Sequence, residues 1–129
     1  MSSAGADEGR FLPGRHLLDA YGNHGFRFGG MSHRGSILAL PSGVRAWHVT
    51  AIAELDAHSL ADVLAEASAI ELMLFGTGTE LVPLPASLRA LLREHGMAVD
   101  VMPTSAAART YNVLVAEERK IGAGLIAVE

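Results

Sequence analysis

The stretch from residue 70 to residue 79 constrains the fold more than any other part of the chain. It reads Ile-Glu-Leu-Met-Leu-Phe-Gly-Thr-Gly-Thr, so a short and mostly apolar run leads directly into a glycine-threonine loop. A continuous apolar run of this length is typical of a strand covered on both faces, as in a parallel sheet. The loop then lies at the carboxyl end of the strand, where open α/β sheets place their ligand crevices.

Helices and strands are predicted to alternate on both sides of this strand. Apolar residues between 60 and 67 follow the spacing i, i+3, i+4, i+7 of an amphipathic helix. The chain continues with a helix that begins near Pro85, a strand over 97–102, a helix from Thr104 and a last strand over 121–128. Such alternation favours parallel strands joined by right-handed crossovers.

The first fifty residues have period two instead. Residues 25–30 read Gly-Phe-Arg-Phe-Gly-Gly, which is the pattern of a half-buried strand, and strands over 36–40 and 44–49 flank a Pro-Ser-Gly turn. We therefore predict a three-layer α/β domain over residues 15–129. It has a central mixed sheet flanked by helices, an N-terminal antiparallel hairpin region, and a disordered N-terminal segment over residues 1–14.

Composition excludes several classes of function. The net charge is −4 and the single lysine is Lys120, so the chain lacks the basic surface that tracks nucleic-acid phosphates. Cysteine is absent, which excludes disulfides, thiol catalysis and cysteine metal sites. No run approaches the ~18 apolar residues that span a bilayer, and residues 1–10 lack the apolar core of a secretory signal. We predict a cytoplasmic protein with no nucleic-acid partner and no membrane span.

Two loops at strand ends form a candidate ligand site. Gly76, Thr77 and Gly78 follow one strand, and Thr104 and Ser105 follow the next strand along the chain. Glycine permits close backbone approach to a ligand, and a helix N-terminus offers unpaired N–H groups to an anion or carboxylate. The alternative is that the glycines form a tight turn and that Thr104 caps its own helix.

The helix after Thr104 adds two polar candidates. Arg109 and Asn112 lie three residues apart and therefore share one helix face. Arg109 can pair with an anion at the sheet edge or, alternatively, with loop carbonyls or a surface carboxylate. Asn112 lies nearest the buried arc, so its amide is expected to need internal partners.

Three aromatic residues form a candidate partner-binding patch. Phe26, Phe28 and Trp47 lie on the predicted N-terminal strands, and half-exposed aromatics on a hairpin can anchor a protein interface. The alternative is that they cover the open face of the sheet. Six histidines are scattered without metal-ligand spacing, and no serine lies in a nucleophile motif, so we predict no metal, no cofactor and no catalytic residue.

A series of short motifs carries a family resemblance. In order they are Gly-Phe-Arg-Phe-Gly-Gly at 25–30, Trp-His-Val-Thr at 47–50, Leu-Phe-Gly-Thr-Gly-Thr at 74–79, Thr104, Arg-Thr-Tyr-Asn at 109–112, and Gly-Ala-Gly-Leu-Ile at 122–126. Over residues 17–126 the chain resembles the small α/β domain family of the mitochondrial complex I assembly factor and the adipogenesis-associated domain protein. The resemblance implies a three-layer α/β fold, no established activity or cofactor, and function through protein partners.

Together these observations predict a non-enzymatic binding or assembly module, of the bacterial type, that acts through a protein partner. The alternative is a protein or enzyme that binds a small anion or carboxylate at the 76–79 loop and the helix N-terminus at Ser105. Homodimer formation is left open.

Overall fold

The computed structural model describes residues 11–129, which form nine strands, three α-helices and three short 3-10 turns. The strands are β1 (Leu12–Pro13), β2 (Leu18–Gly22), β3 (Gly25–Phe28), β4 (Met31–Arg34), β5 (Ser36–Leu40), β6 (Gly43–Trp47), β7 (Leu72–Gly76), β8 (Ala98–Met102) and β9 (Ile121–Leu125). The helices are α1 (Ala61–Ala65), α2 (Ala86–Glu94) and α3 (Thr104–Ala116). The 3-10 turns are Ile52–Glu54, His58–Leu60 and Ala67–Ala69.

A mixed six-stranded sheet forms the centre of the domain, in the order β1-β6-β5-β9-β7-β8. Strand β7 lies parallel to both β8 and β9, whereas β5 runs antiparallel to β9 and β6. The predicted α/β fold with a central mixed sheet is therefore confirmed. The predicted Pro-Ser-Gly hairpin is also confirmed, since β5 and β6 pair in register from Ser36↔Trp47 to Leu40↔Gly43.

Two apolar clusters, one on each side of this sheet, make the domain three layers thick. Along β7 the side chains of Met73 and Phe75 join the cluster under α1 and α2, and Leu74 joins the cluster under α3. All three side chains are fully buried, as expected for a strand covered on both faces. Burial on both faces explains why this strand is a continuous apolar run rather than an alternating one.

A second, three-stranded antiparallel sheet has the order β2-β3-β4 and shares the layer of α3. Its inner face carries Phe26 and Phe28, which pack with Ile37 of β5 and with Tyr111 of α3. The Asn112 side chain attaches the edge strand β2 to α3, because its amide nitrogen donates to the Leu18 carbonyl and its oxygen accepts from the Leu18 N–H, both at 2.8 Å.

The structure departs from the expected elements at several places, and the last strand, expected over 121–128, ends at Leu125. The helix expected over 60–67 is α-helical only over Ala61–Ala65, because the backbone at Glu66 leaves the helical region (φ −112°, ψ 16°). The carboxylate of Glu66 there accepts hydrogen bonds from the N–H and the hydroxyl of Ser42. Within the segment predicted to be disordered, residues 1–10 lie outside the described residues, and Leu12–Pro13 pair with β6 as a short strand.

Candidate functional site

The two loops predicted to meet at one edge of the sheet do meet. Strands β7 and β8 run parallel with Gly76 opposite Met102, so both chains leave the sheet at the same end. The Thr77 N–H donates to the Met102 carbonyl at 3.0 Å, and the Thr104 N–H donates to the Gly78 carbonyl at 2.8 Å. The parallel arrangement inferred from the sequence therefore holds.

Thr104 fastens this loop pair and is itself fully buried. Its hydroxyl accepts a hydrogen bond from the Gly78 N–H at 3.0 Å and donates one to the Ile126 carbonyl at 2.7 Å. The Thr104 side chain does not cap α3, contrary to the alternative considered from sequence, because it is the first helical residue and its hydroxyl is used elsewhere. A Cβ at Gly76 would lie 3.0 Å from the Thr104 Cα, so only glycine allows this close approach.

The rest of the predicted ligand set does not converge on this point. Ser105 is half-buried and Arg109 is exposed on α3. Asn112 lies eight residues beyond Thr104, about 12 Å along the helix at 1.5 Å per residue, and its amide is taken up by Leu18. Asn112 therefore has the internal partners expected of it, and these attach the small sheet.

An open groove runs along the carboxyl ends of β7 and β9, and we call it the edge groove. It encloses about 500 Å³. Its lining comprises His24, 50–53, 77–80, Val82 and 126–129. A neighbouring cavity of about 290 Å³ shares His24, Thr50 and Ala127 with it and extends to Arg34 and Ser36. Sequence reasoning identified only the 77–79 side of this groove.

His24 enters the edge groove from an unusual backbone conformation. Its φ is +64°, and that of Asn23 is +52°, so both central residues of the β2–β3 turn are left-handed, as a type I′ turn requires. The His24 N–H donates to the Val128 carbonyl, and its own carbonyl accepts from the Gly35 N–H, both at 2.7 Å. The tip of the small sheet is thereby fixed against the end of the large one.

The aromatic residues predicted as a partner-binding patch are buried, with exposures of 3% for Phe26, 2% for Phe28 and 5% for Trp47. The expectation that they are exposed is wrong, and the alternative that they cover the sheet is correct. The Trp47 ring lies against β9, where a Cβ on Gly124 would come within 2.9 Å of it, and its indole N–H donates to the Ser59 carbonyl at 3.0 Å.

The outer face of the three-stranded sheet is polar, and sequence reasoning did not single it out. The residues that face outward are Ala20, Arg27, Ser32 and Arg34, and we call this surface the arginine face. A shallow cavity of about 330 Å³ follows it. The signal in the sequence was Arg27 between two phenylalanines, which places a charge on the face opposite the buried rings.

Three titratable groups in the described chain, Glu54, Asp56 and Tyr111, have pKa values displaced from their ordinary ones. Burial raises the pKa of Tyr111, and the positive charge of the nearby Arg15 guanidinium partly opposes this rise. The Tyr111 hydroxyl has no hydrogen-bond partner within the described residues. Beside the edge groove, hydrogen bonds from the N–H and the hydroxyl of Thr50 lower the pKa of Glu54. Within residues 11–129, no group of three or more His, Asp or Glu side chains is placed to hold a metal ion.

Comparison with known proteins defines the class of this domain. A family model described as a protein of unknown function (DUF498/DUF598) matches residues 18–126, so the chain belongs to that family. An outer membrane protein of Bartonella henselae has a similar solved structure, with a TM-score of 0.88 and 50% sequence identity over 92% of this chain and 99% of that one.

Two curated relatives extend the comparison. An uncharacterized protein of Rhodobacter capsulatus is 35% identical over 84% of this chain and 82% of its own length. Another relative is the NADH dehydrogenase [ubiquinone] 1 alpha subcomplex assembly factor 3 of Xenopus tropicalis, which is 29% identical over 85% of this chain. The matched region covers 60% of the length of that relative. In the part of the chain that the structure describes, no helix is long and apolar enough to cross a membrane.

Proposed function

We propose that this chain is a protein-binding module that supports assembly of a respiratory NADH dehydrogenase. The observation that carries the proposal is the similarity of this chain to animal relatives that bear the name of an assembly factor for that enzyme. The likeness extends over about 85% of this chain rather than a single motif. An assembly role requires a surface on which a partner subunit can dock.

The best candidate for that surface is the loop that follows the glycine turn, on the rim of the edge groove. Leu81 and Val82 are 58% and 39% exposed there. The loop is held in place because the Thr77 hydroxyl donates to the Glu80 carbonyl at 2.6 Å and accepts from the Val82 N–H at 3.1 Å. Apolar side chains presented on a fixed backbone favour a protein contact, since little conformational entropy is lost when the partner binds.

A complementation experiment tests this proposal. The gene for the related protein of Rhodobacter capsulatus is deleted, and assembled NADH dehydrogenase is measured by activity staining of native gels. This chain should restore the assembled enzyme, and a variant with Leu81→Asp and Val82→Asp should not. The matched control is Val113→Asp, because Val113 is 56% exposed on α3, away from the edge groove.

The double variant is first checked for an unchanged melting temperature, because both of its side chains are exposed. Normal enzyme levels in the deletion strain would contradict the proposed function. Full complementation by the double variant would contradict the assignment of the contact surface.

A second candidate function is binding of a small carboxylate or other anion in the edge groove. It is favoured by the volume of the groove and by His24, which lines the groove together with Gly78 and Thr79 and has a left-handed backbone. Thr77 and Gly78 from the predicted ligand set line the groove, whereas Ser105, Arg109 and Asn112 do not.

Thermal-shift measurements with carboxylates, inorganic phosphate and nucleotides test the second function. A ligand of the groove should raise the melting temperature of the wild type and of Arg109→Ala, but much less that of Thr79→Val. No shift with any of these probes, or an equal shift in Thr79→Val, would refute it.

A further inference from the structure

We infer that the arginine face binds an extended acidic segment of a partner protein, with one carboxylate on Arg27 and a second on Arg34. This inference rests on the proposed function, since it gives the chemistry of a segment that a protein partner would present. The face lies on the small sheet, whereas Leu81 and Val82 follow β7 of the large sheet, and Arg34 also lines the cavity next to the edge groove.

The strand register puts both arginines on one surface. Arg27 of β3 lies opposite Ser32 of β4, and Arg34 is two residues further along β4. Because alternate residues of a strand share a face, Ser32, Arg34 and Arg27 point the same way. Phe26 and Phe28 are buried on the other face, which leaves both arginines exposed to solvent.

Neither arginine is neutralised within the described chain. No hydrogen bond or ion pair joins the guanidinium of Arg27 or Arg34 to any residue in 11–129. The acidic residue nearest in sequence, Asp19, lies at the bulge of β2 and forms no ion pair with them. Two adjacent unpaired cations in a chain of net charge −4 are complementary to an anionic ligand.

The shape of the face favours an extended peptide over a single small anion. Diagonal neighbours such as Arg27 and Arg34 lie about 7–8 Å apart across an antiparallel pair. In an extended segment, side chains at positions i and i+2 lie about 7 Å apart on the same side. Each guanidinium can therefore bind its own carboxylate through its planar fork of donors.

Two further features suit such a segment. The cavity along the face is open and about 330 Å³ in volume, and Ser32, which is opposite Arg27 and two residues before Arg34, adds a hydroxyl donor to the same face. The expected ligand is thus an acidic-x-acidic sequence in extended conformation.

Titration of ¹⁵N-labelled protein followed by NMR tests the inference directly. The probe is the capped peptide Ser-Glu-Ser-Glu-Ser, and Ser-Glu-Glu-Ser-Ser of equal charge is the control for spacing. We expect amide shifts at Ala20 and Ser32, and an affinity for the first peptide that falls with rising salt. Arg27→Ala and Arg34→Ala should each weaken it about three- to fivefold, whereas Arg93→Ala, which removes an exposed arginine from α2, should leave it unchanged.

Three results would overturn the inference. They are the absence of shifts at the face at millimolar peptide, equal affinity in Arg27→Ala and Arg93→Ala, and equal binding of the two peptides. If inorganic phosphate gave the same shifts at lower concentration than the peptide, the site would be one for small oxyanions instead. These outcomes are independent of the assembly experiment, because the titration uses the purified protein alone.

Discussion

Replacing Thr104 by valine should destabilise the domain strongly, although the two side chains have nearly the same shape. The substitution removes the hydroxyl that accepts from the Gly78 N–H and donates to the Ile126 carbonyl. Losing a hydrogen bond costs about 1 kcal/mol, and leaving a buried partner unsatisfied costs about 1–3 kcal/mol. Ile126 is buried and Gly78 is half-buried, so we expect the free energy of unfolding to fall by about 2–4 kcal/mol.

This loss can be converted to a shift in melting temperature. For 129 residues an unfolding entropy of about 2.1 cal/mol/K per residue gives a decrease of roughly 7–15 °C. Urea denaturation followed by circular dichroism measures the free energy, and an unchanged m-value shows that the folded and unfolded states are otherwise comparable. The control is Thr104→Ser, which retains the hydroxyl and should cost only about 1 kcal/mol for the lost methyl group.

The reasoning would be refuted if Thr104→Val stayed within about 0.5 kcal/mol of the wild type, the range of an ordinary surface substitution. It would also be refuted if Thr104→Ser were the more damaging of the two, because packing rather than hydrogen bonding would then dominate at this position.

Three other perturbations test separate parts of the structure. Tyr111→Phe removes a buried hydroxyl that has no hydrogen-bond partner in the described chain. The free energy of unfolding measured in urea should therefore rise by up to about 1 kcal/mol. A marked fall would show that the hydroxyl does have a stabilising partner. Gly124→Ala places a methyl group against Trp47 and should lower the free energy of unfolding by about 1–3 kcal/mol. The fluorescence of this single tryptophan should change as well. An unperturbed spectrum would contradict the close packing. The carboxyl groups of Glu54 and Asp56 have pKa values lowered from their ordinary 4.5 and 3.8, chiefly by backbone N–H donors. The two carboxylates therefore stabilise the folded state above those ordinary values. This stabilisation is lost as the pH falls through the folded-state pKa values. The double variant Glu54→Gln with Asp56→Asn should therefore lose less stability than the wild type between pH 5 and pH 3 in thermal melts, and parallel losses would exclude these two groups.

The sequence was most informative where the local pattern and the tertiary environment agree. The apolar run before Gly76 predicted a strand covered on both faces, and the two cores supply that cover. The loops after β7 and β8 were expected at one edge because parallel strands end together, and the hydrogen bond between Thr104 and Gly78 confirms it.

Prediction failed where a residue's environment depends on distant segments. Phe26 and Phe28 looked like half-exposed residues of a hairpin, since nothing local indicates that a second sheet presses them onto β5 and α3. Asn112 was expected to need internal partners and was also named as a ligand candidate, but the sequence could not identify its partner, Leu18, which lies 94 residues away. Arg27 was noticed only as the polar residue between two rings, because its relation to Arg34 follows from a register that the sequence does not reveal.

The position of β9 has a consequence for biosynthesis. This strand lies between β5 and β7, so the antiparallel strands from the first third of the chain and the parallel strands from the second half meet only through it. Until residues 121–125 leave the ribosome, the nascent chain can form two partial sheets but cannot join them. The two partial sheets can therefore join only after residues 121–125 have been synthesised, and deletion of these residues would separate the sheet into halves with apolar edges open to aggregation.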